Sequence, residues 1–138
     1  MLTEKDYCDY DTCVALKELG YEGICDAYYE LTGSEDYNRD SFGLSYTRDF
    51  IHPDDIDRVV APLLYQAQKW LREERGIHIA PRIYLYHDIN LDEQTSWECT
   101  IYVEWSAIYT IGKSLTYEDA LLLGIKEAVK ILKKETND

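Results

Sequence analysis

The sequence predicts an α+β protein: a small antiparallel sheet with helices packed on one face, in the approximate order α-β-β-α-β-β-α. Three stretches carry that expectation. In residues 63–75, Leu63, Leu64, Ala67, Trp70 and Leu71 recur at three- and four-residue steps, the period of one helix face. From Ile77 the period switches to two, with Ile77, Ile79, Ile83 and Leu85 on one side, and Trp97–Tyr109 repeats the alternation over a longer run. Leu121, Ile125, Ala128, Val129 and Leu132 then form a second helical stripe. Two helices on one face of a small sheet bury all of these stripes together.

Taken in order, Asp9 or Asp11 caps a short helix over Thr12–Leu19, which Gly20 ends. Ile24–Leu31 is rich in aromatics and reads as a strand in preference to more helix. Residues 32–42 are a polar, turn-rich loop. Leu44–Ile51 predicts a short edge strand. His52-Pro53-Asp54-Asp55 reads as a helix start, with Pro disfavouring helix before it and acids at the positive end. Pro62 interrupts the pattern that follows, so the expected arrangement is a separate helical turn and then a main helix over Ala61–Arg75, closed by Gly76. In the strand Ile77–Tyr86, Pro81 cannot donate to a ladder and marks an edge or a bulge. The run Trp97–Tyr109 is read as one strand with a core face (Trp97, Cys99, Ile101, Val103, Trp105, Ala107, Tyr109) and a mostly wet one. Thr116-x-x-Asp119 opens the last helix, Tyr117–Lys134, whose C-terminal end gathers Lys130, Lys133 and Lys134.

A chain of 138 residues fits a single domain, 1–138, able to bury a core without staples. Within it, 1–60 is an acidic, Tyr-rich half and 61–138 a helix–strand–strand–helix unit. The net charge is −13, and the first 60 residues hold fifteen acids against five bases. Such a surface repels phosphate backbones and anionic lipid, so direct nucleic-acid binding is disfavoured and a basic protein partner is favoured. The segment MLTEKDYCDYDTC does not read as a signal peptide, and no apolar run approaches the ~20 residues that span a bilayer. The expectation is a cytoplasmic protein with four reduced cysteines and no membrane association.

No constellation of chemistry-bearing residues stands out. Cys8-x4-Cys13, Cys25 and Cys99 lack the tight pairs of a zinc site. Asp88-Ile-Asn90-Leu-Asp92 opens like a calcium loop, but Glu93 stands where Gly is wanted and Cys99 where the bidentate Glu belongs. His52 with Asp54, Asp55 and Asp57 is read as a helix N-terminus rather than an acid–base site, and His78 and His87 lie elsewhere in the chain. Nucleophile-elbow, phosphate-loop, dinucleotide and zincin motifs are absent from the sequence. The expectation is therefore no catalytic residue, no cofactor and no metal. What remains is a possible partner surface: Arg82, Tyr84, Tyr86, Tyr102 and Glu104, on the wet faces of the two central strands. Pro81 discourages pairing at that edge while an aromatic face invites burial, so the oligomeric state stays open.

Two runs carry a resemblance: Ala67, Trp70, Leu71, Arg72, Ile77, His78 and Ile79, and then Tyr117, Glu118, Ala120, Leu121, Gly124, Ile125 and Ala128. Together they resemble a group of small proteins from prophages, plasmids and conjugative elements of Bacteroides-like bacteria, over roughly residues 60–135. The resemblance implies a mobile-element setting and lends no catalytic residues. The terminal helix is also similar to that of HicB-type antitoxins, from which the rest of the chain departs. The functional expectation is a non-enzymatic interaction protein; the alternatives are an acidic nucleic-acid-mimicking inhibitor or antitoxin-like protein, and a small enzyme or metal protein built on the histidines.

Overall fold

The computed structural model describes residues 2–31, 44–87, 93–104, 106–114 and 116–136, and at 48–49, 84–87, 93–95, 107–113 and 136 the backbone alone. The protein is α+β, and the chain divides into two compact units, Met1–Leu63 and Leu64–Asp138. The expected loop over 32–42 and the calcium-like stretch 88–92 lie outside the described residues, as does Trp105.

In the first unit a single 3-10 turn, Glu4–Asp6, precedes α1, Tyr10–Glu18. The Asp9 carboxylate caps α1 by accepting from the Thr12 N–H at 3.0 Å. At the other end Gly20 takes φ +93°, and the N–H groups of Gly20 and Tyr21 donate to the carbonyls of Lys17 and Leu16. That pair of bonds is a Schellman close, which explains why a glycine stands there. Strands β1 (Cys25–Glu30), β2 (Ser45–Ile51) and β3 (Arg58–Val60) make an antiparallel sheet in the order β2-β1-β3, so β2 is an edge, as expected. Cys25, Ala27 and Tyr29 alternate inward along β1 and join Leu16, Val59 and Ile51 in the core.

Residues 52–60 correct the sequence reading. The expected helical turn after His52-Pro53 is a turn followed by β3. The Asp55 carboxylate accepts from the N–H groups of Asp57 (2.9 Å) and Arg58 (3.1 Å), a side-chain-to-backbone pattern that competes with helix. The β-branched Val59 and Val60 then pair with Tyr29 and Tyr28. The main helix also starts later than Ala61. The Ala61 N–H donates to the Ala27 carbonyl, and the buried Pro62 carbonyl accepts from Cys8, so both residues are committed to the sheet side.

The second unit holds α2 (Leu64–Arg75), β4 (Ile77–His87), β5 (Glu93–Val103), β6 (Ser106–Ser114) and α3 (Tyr117–Thr136). Its sheet is antiparallel in the order β4-β5-β6, leaving the Pro81-bearing β4 at an edge. Both helices pack on this sheet and on each other. Leu64, Ala67 and Leu71 from α2 and Leu121, Ile125 and Ala128 from α3 meet Ile77, Ile79, Cys99 and Ile101 in the core. Gln68 donates to the Ile79 carbonyl at 2.8 Å. Gly76 at φ +67° ends α2, and the Thr116 hydroxyl caps α3 by accepting from the Asp119 N–H.

Two expectations change here. The run Trp97–Tyr109 is two strands, because the chain reverses after Val103, which pairs with Ser106, and Glu104 takes φ +50°. With β3 this places one more strand in each half than the approximate order allowed, and there are two three-stranded sheets where one was expected. Ile83, assigned to the core face, is 49% exposed. The packing of α3 explains it: Gly124 sits over Cys99 and Ile79, further along the sheet toward the hairpin.

Candidate interaction site

The register of β4 on β5 decides which predicted surface residues meet. Arg82 pairs with Glu98, Ala80 with Thr100 and His78 with Tyr102. Directly paired residues of an antiparallel ladder point to the same face, here the one away from Ile77, Ile79, Cys99 and Ile101. On this helix-free face Arg82 Nε donates to Glu98 Oε1 at 3.0 Å, with the Arg82 side chain 71% exposed. Such an exposed pair contributes little to stability. Tyr102 is 37% exposed. Four residues of strand separate the register positions of Arg82 and Tyr102, about 13 Å at ~3.3 Å per residue. Tyr84 pairs with Ser96 and Tyr86 with Gln94 along the backbone, and their side chains lie outside the described residues.

Glu104 does not share that face. The reversal takes it out of the strand and into a hairpin joined by two residues, where its positive φ is uncommon for a side chain of this kind. It lines a hollow of about 320 Å³ at the end of the sheet. The buried Ile77 and Leu132 and the half-buried Val103 give the hollow apolar walls, while Arg75, His78, Glu104 and Glu135 ring it with charge and polarity. Arg75 is the last residue of α2, and Glu135 lies in the last turn of α3. Two helix C-termini, each with partial negative charge, therefore close on it. The Arg75 guanidinium carbon stands 5.5 Å from the Trp70 ring centroid, a cation–π contact within its own helix. No ion pair among the described residues engages Glu104 or Glu135.

Of the residues that line this hollow, the sequence places Glu104 on the candidate surface and His78 at an exposed helix end. Arg75 and Gly76 read as a helix end, Val103 as a core-face strand position and Leu132 as part of a buried helical stripe, while Glu135 falls just past the helix expected to end at Lys134. The one local departure is a glutamate at 104, with φ +50°, where a hairpin favours asparagine or glycine.

The other constellations take structural roles. Cys8, Cys13 and Cys25 are buried in the first unit, and Cys13 Sγ donates to the Cys8 carbonyl at 3.5 Å. Burial pushes the Cys13 thiol well above its ordinary value, and pushes Cys25 and Cys99 to about 11, so these side chains stay protonated and poor as nucleophiles. Among the described residues no group of three or more His, Cys, Asp or Glu is placed to hold a metal ion. The Asp55 carboxylate takes the Arg58 guanidinium through Nη2 at 2.7 Å and Nε at 3.1 Å. That pairing, with the backbone bonds, holds Asp55 below the ordinary carboxylate value. Lys17 Nζ donates to the carbonyls of Asp55 and Arg58, so the acids after His52 serve a turn pinned to α1. His52 and His78 belong to different units. Tyr7, Tyr21 and Tyr29 are core residues, with the Tyr29 hydroxyl donating to the Cys8 carbonyl at 3.2 Å. No described helix is long and apolar enough to cross a membrane. Comparison with protein-family models, with curated proteins and with solved structures finds no match.

Proposed function

We propose that the chain acts by binding rather than by catalysis, as a protein-interaction module of a mobile genetic element, and that it engages a basic partner along the helix-free face of the β4-β5-β6 sheet. The observation that carries this reading is the exposure of Tyr102 and Arg82 on a face to which neither helix of that unit contributes cover. Tyr and Arg are the residue types most often found at the energetic centre of protein interfaces. The net charge of −13 supplies long-range attraction for a cationic partner and rejects anionic ones.

Selection from a displayed peptide library tests it. Binders enriched in Lys and Arg over the input are expected, with affinity falling steeply between ~50 and ~500 mM salt as the Debye length shortens. Tyr102→Ser and Arg82→Ala, which remove the aromatic ring and the long stem that pack against the partner, are expected to lower that affinity at least ~tenfold, a loss of about 1.4 kcal/mol or more, without changing the circular dichroism spectrum. Binders without basic enrichment, or indifferent to both substitutions, would sink the proposal.

A further inference from the structure

We propose that the hollow between the ends of α2 and α3 and the β5–β6 hairpin is a socket for a single lysine or arginine side chain of the basic partner. This rests on the interaction reading and assigns it an anchor. The volume of about 320 Å³ is at the lower end of the range that holds small ligands, enough for one long side chain. Its walls suit the aliphatic stem of such a residue: Ile77, Val103 and Leu132 are apolar. Its rim suits the charged head. Glu104 and Glu135 oppose one fixed cation, Arg75, whose guanidinium lies on the Trp70 ring. Both helix C-termini add negative potential, and Lys133 and Lys134 in the same turn as Glu135 are not among the lining residues. His78 connects the hollow to the proposed surface, since it lines the one and pairs with Tyr102 of the other. A partner lying along the helix-free face thus reaches the socket at its end.

The test is backbone amide NMR of the whole chain, titrated with acetyl-Gly-Arg-Gly-amide and with the neutral, isosteric acetyl-Gly-citrulline-Gly-amide. The arginine peptide is expected to give saturable shifts at Gly76, His78, Val103, Glu104 and Leu132, with a dissociation constant of order millimolar. The citrulline peptide is expected to bind at least ~tenfold more weakly, because it lacks the charge that the rim recognises. Glu104→Gln with Glu135→Gln should abolish the difference between the two peptides. Glu135→Gln alone, in the last helical turn, should reduce it severalfold, and keeps the test valid where a change in the hairpin disturbs folding. Equal affinity for both peptides, shifts centred elsewhere, or no saturation would overturn the socket. Much tighter binding of n-butylguanidinium than of the peptide would also overturn it, in favour of a free small cation. Displayed basic peptides that depend on Tyr102 and Arg82 but ignore Glu104 and Glu135 would refute the socket and leave the interaction reading standing. An arginine peptide seated in the hollow, with displayed binders indifferent to Tyr102 and Arg82, would do the reverse.

Discussion

Replacing Gly124 by Ala sets two known effects against each other, and the structure says which wins. Glycine within a helix costs about 1 kcal/mol relative to alanine, so on propensity alone Gly124→Ala should stabilise α3. A Cβ at this position, however, stands 2.5 Å from Cys99 Sγ and 2.5 Å from Ile79 Cγ2. Ordinary carbon contacts lie near ~3.5–4.0 Å, so each approach is about 1 Å too close. Neither atom ends a long flexible chain, and Cys99 and Ile79 are both buried. Overpacking a close-packed interior by one carbon costs ~1–3 kcal/mol, and two simultaneous overlaps place this case near ~3. The expected net loss is about 2 kcal/mol, read as a lower urea midpoint with an unchanged slope. Cys99→Ala removes Sγ and leaves Cys99 Cβ at 3.6 Å, an ordinary contact. In that background Gly124→Ala should cost at least ~1 kcal/mol less, a coupling visible in a double-mutant cycle. Stabilisation by Gly124→Ala, or additivity of the two substitutions, would refute the packing of α3 over β4 and β5.

Glu104→Asn should raise stability by ~0.5–1 kcal/mol, because Asn tolerates the left-handed backbone that the hairpin imposes, and a urea midpoint that falls instead would mean that the Glu side chain holds the turn. Cys25 and Cys99 should react with a disulfide reagent at pH 8 at least ~100-fold more slowly in the folded chain than in urea, since burial keeps both thiols protonated; equal rates would contradict the burial. Their raised values also fix a sign: the stability they contribute is complete below the unfolded thiol value of 9.0 and is lost as pH rises toward about 11, so the urea midpoint should fall across that window. Asp55 runs the other way. Its folded value lies below 3.8, so its contribution is present above that pH and lost as pH falls through the folded value, and a carboxyl-carbon titration placing Asp55 at or above 3.8 would contradict its pairing with Arg58.

Much of the fold was legible because periodicity and punctuation agreed. At Gly20 and Gly76 the stripe of a helix ends where a residue able to take positive φ stands, and both glycines do take it. At Thr116 the capping hydroxyl precedes the stripe of α3, and it caps. The reading failed where one local pattern had two physical meanings. His-Pro-Asp-Asp satisfies the rules for a helix start, but Asp55 can satisfy backbone donors in a turn equally well, and pairing of Val59 and Val60 with β1 decides between them. The same ambiguity hid the hairpin at Glu104. Alternation of core-type and wet-face residues continues past the reversal as far as Ala107, and Glu-Trp carries no glycine, asparagine or proline to mark a reversal.

That missed reversal is also why the candidate site was only half legible. Read as one long strand, the chain places Glu104 beside Tyr102 on a flat face, and nothing links it to the helix ends. With the reversal, Glu104 lines one hollow with Arg75, Leu132 and Glu135, residues separated from it by roughly thirty positions in either direction. Each of these has a sufficient local explanation: Arg75 suits a helix C-terminus, Leu132 continues a buried stripe, and Glu135 is one of several charges in a last turn. A site assembled from positions that each satisfy a structural rule leaves no surplus for sequence patterns to detect. The exception is a residue that breaks its local rule, and here it is Glu104: a carboxylate with φ +50° where asparagine or glycine would rest without strain. If Glu104→Asn stabilises the chain while weakening capture of the arginine peptide, the strain is tied to binding; if it stabilises the chain and leaves capture unchanged, the glutamate serves neither.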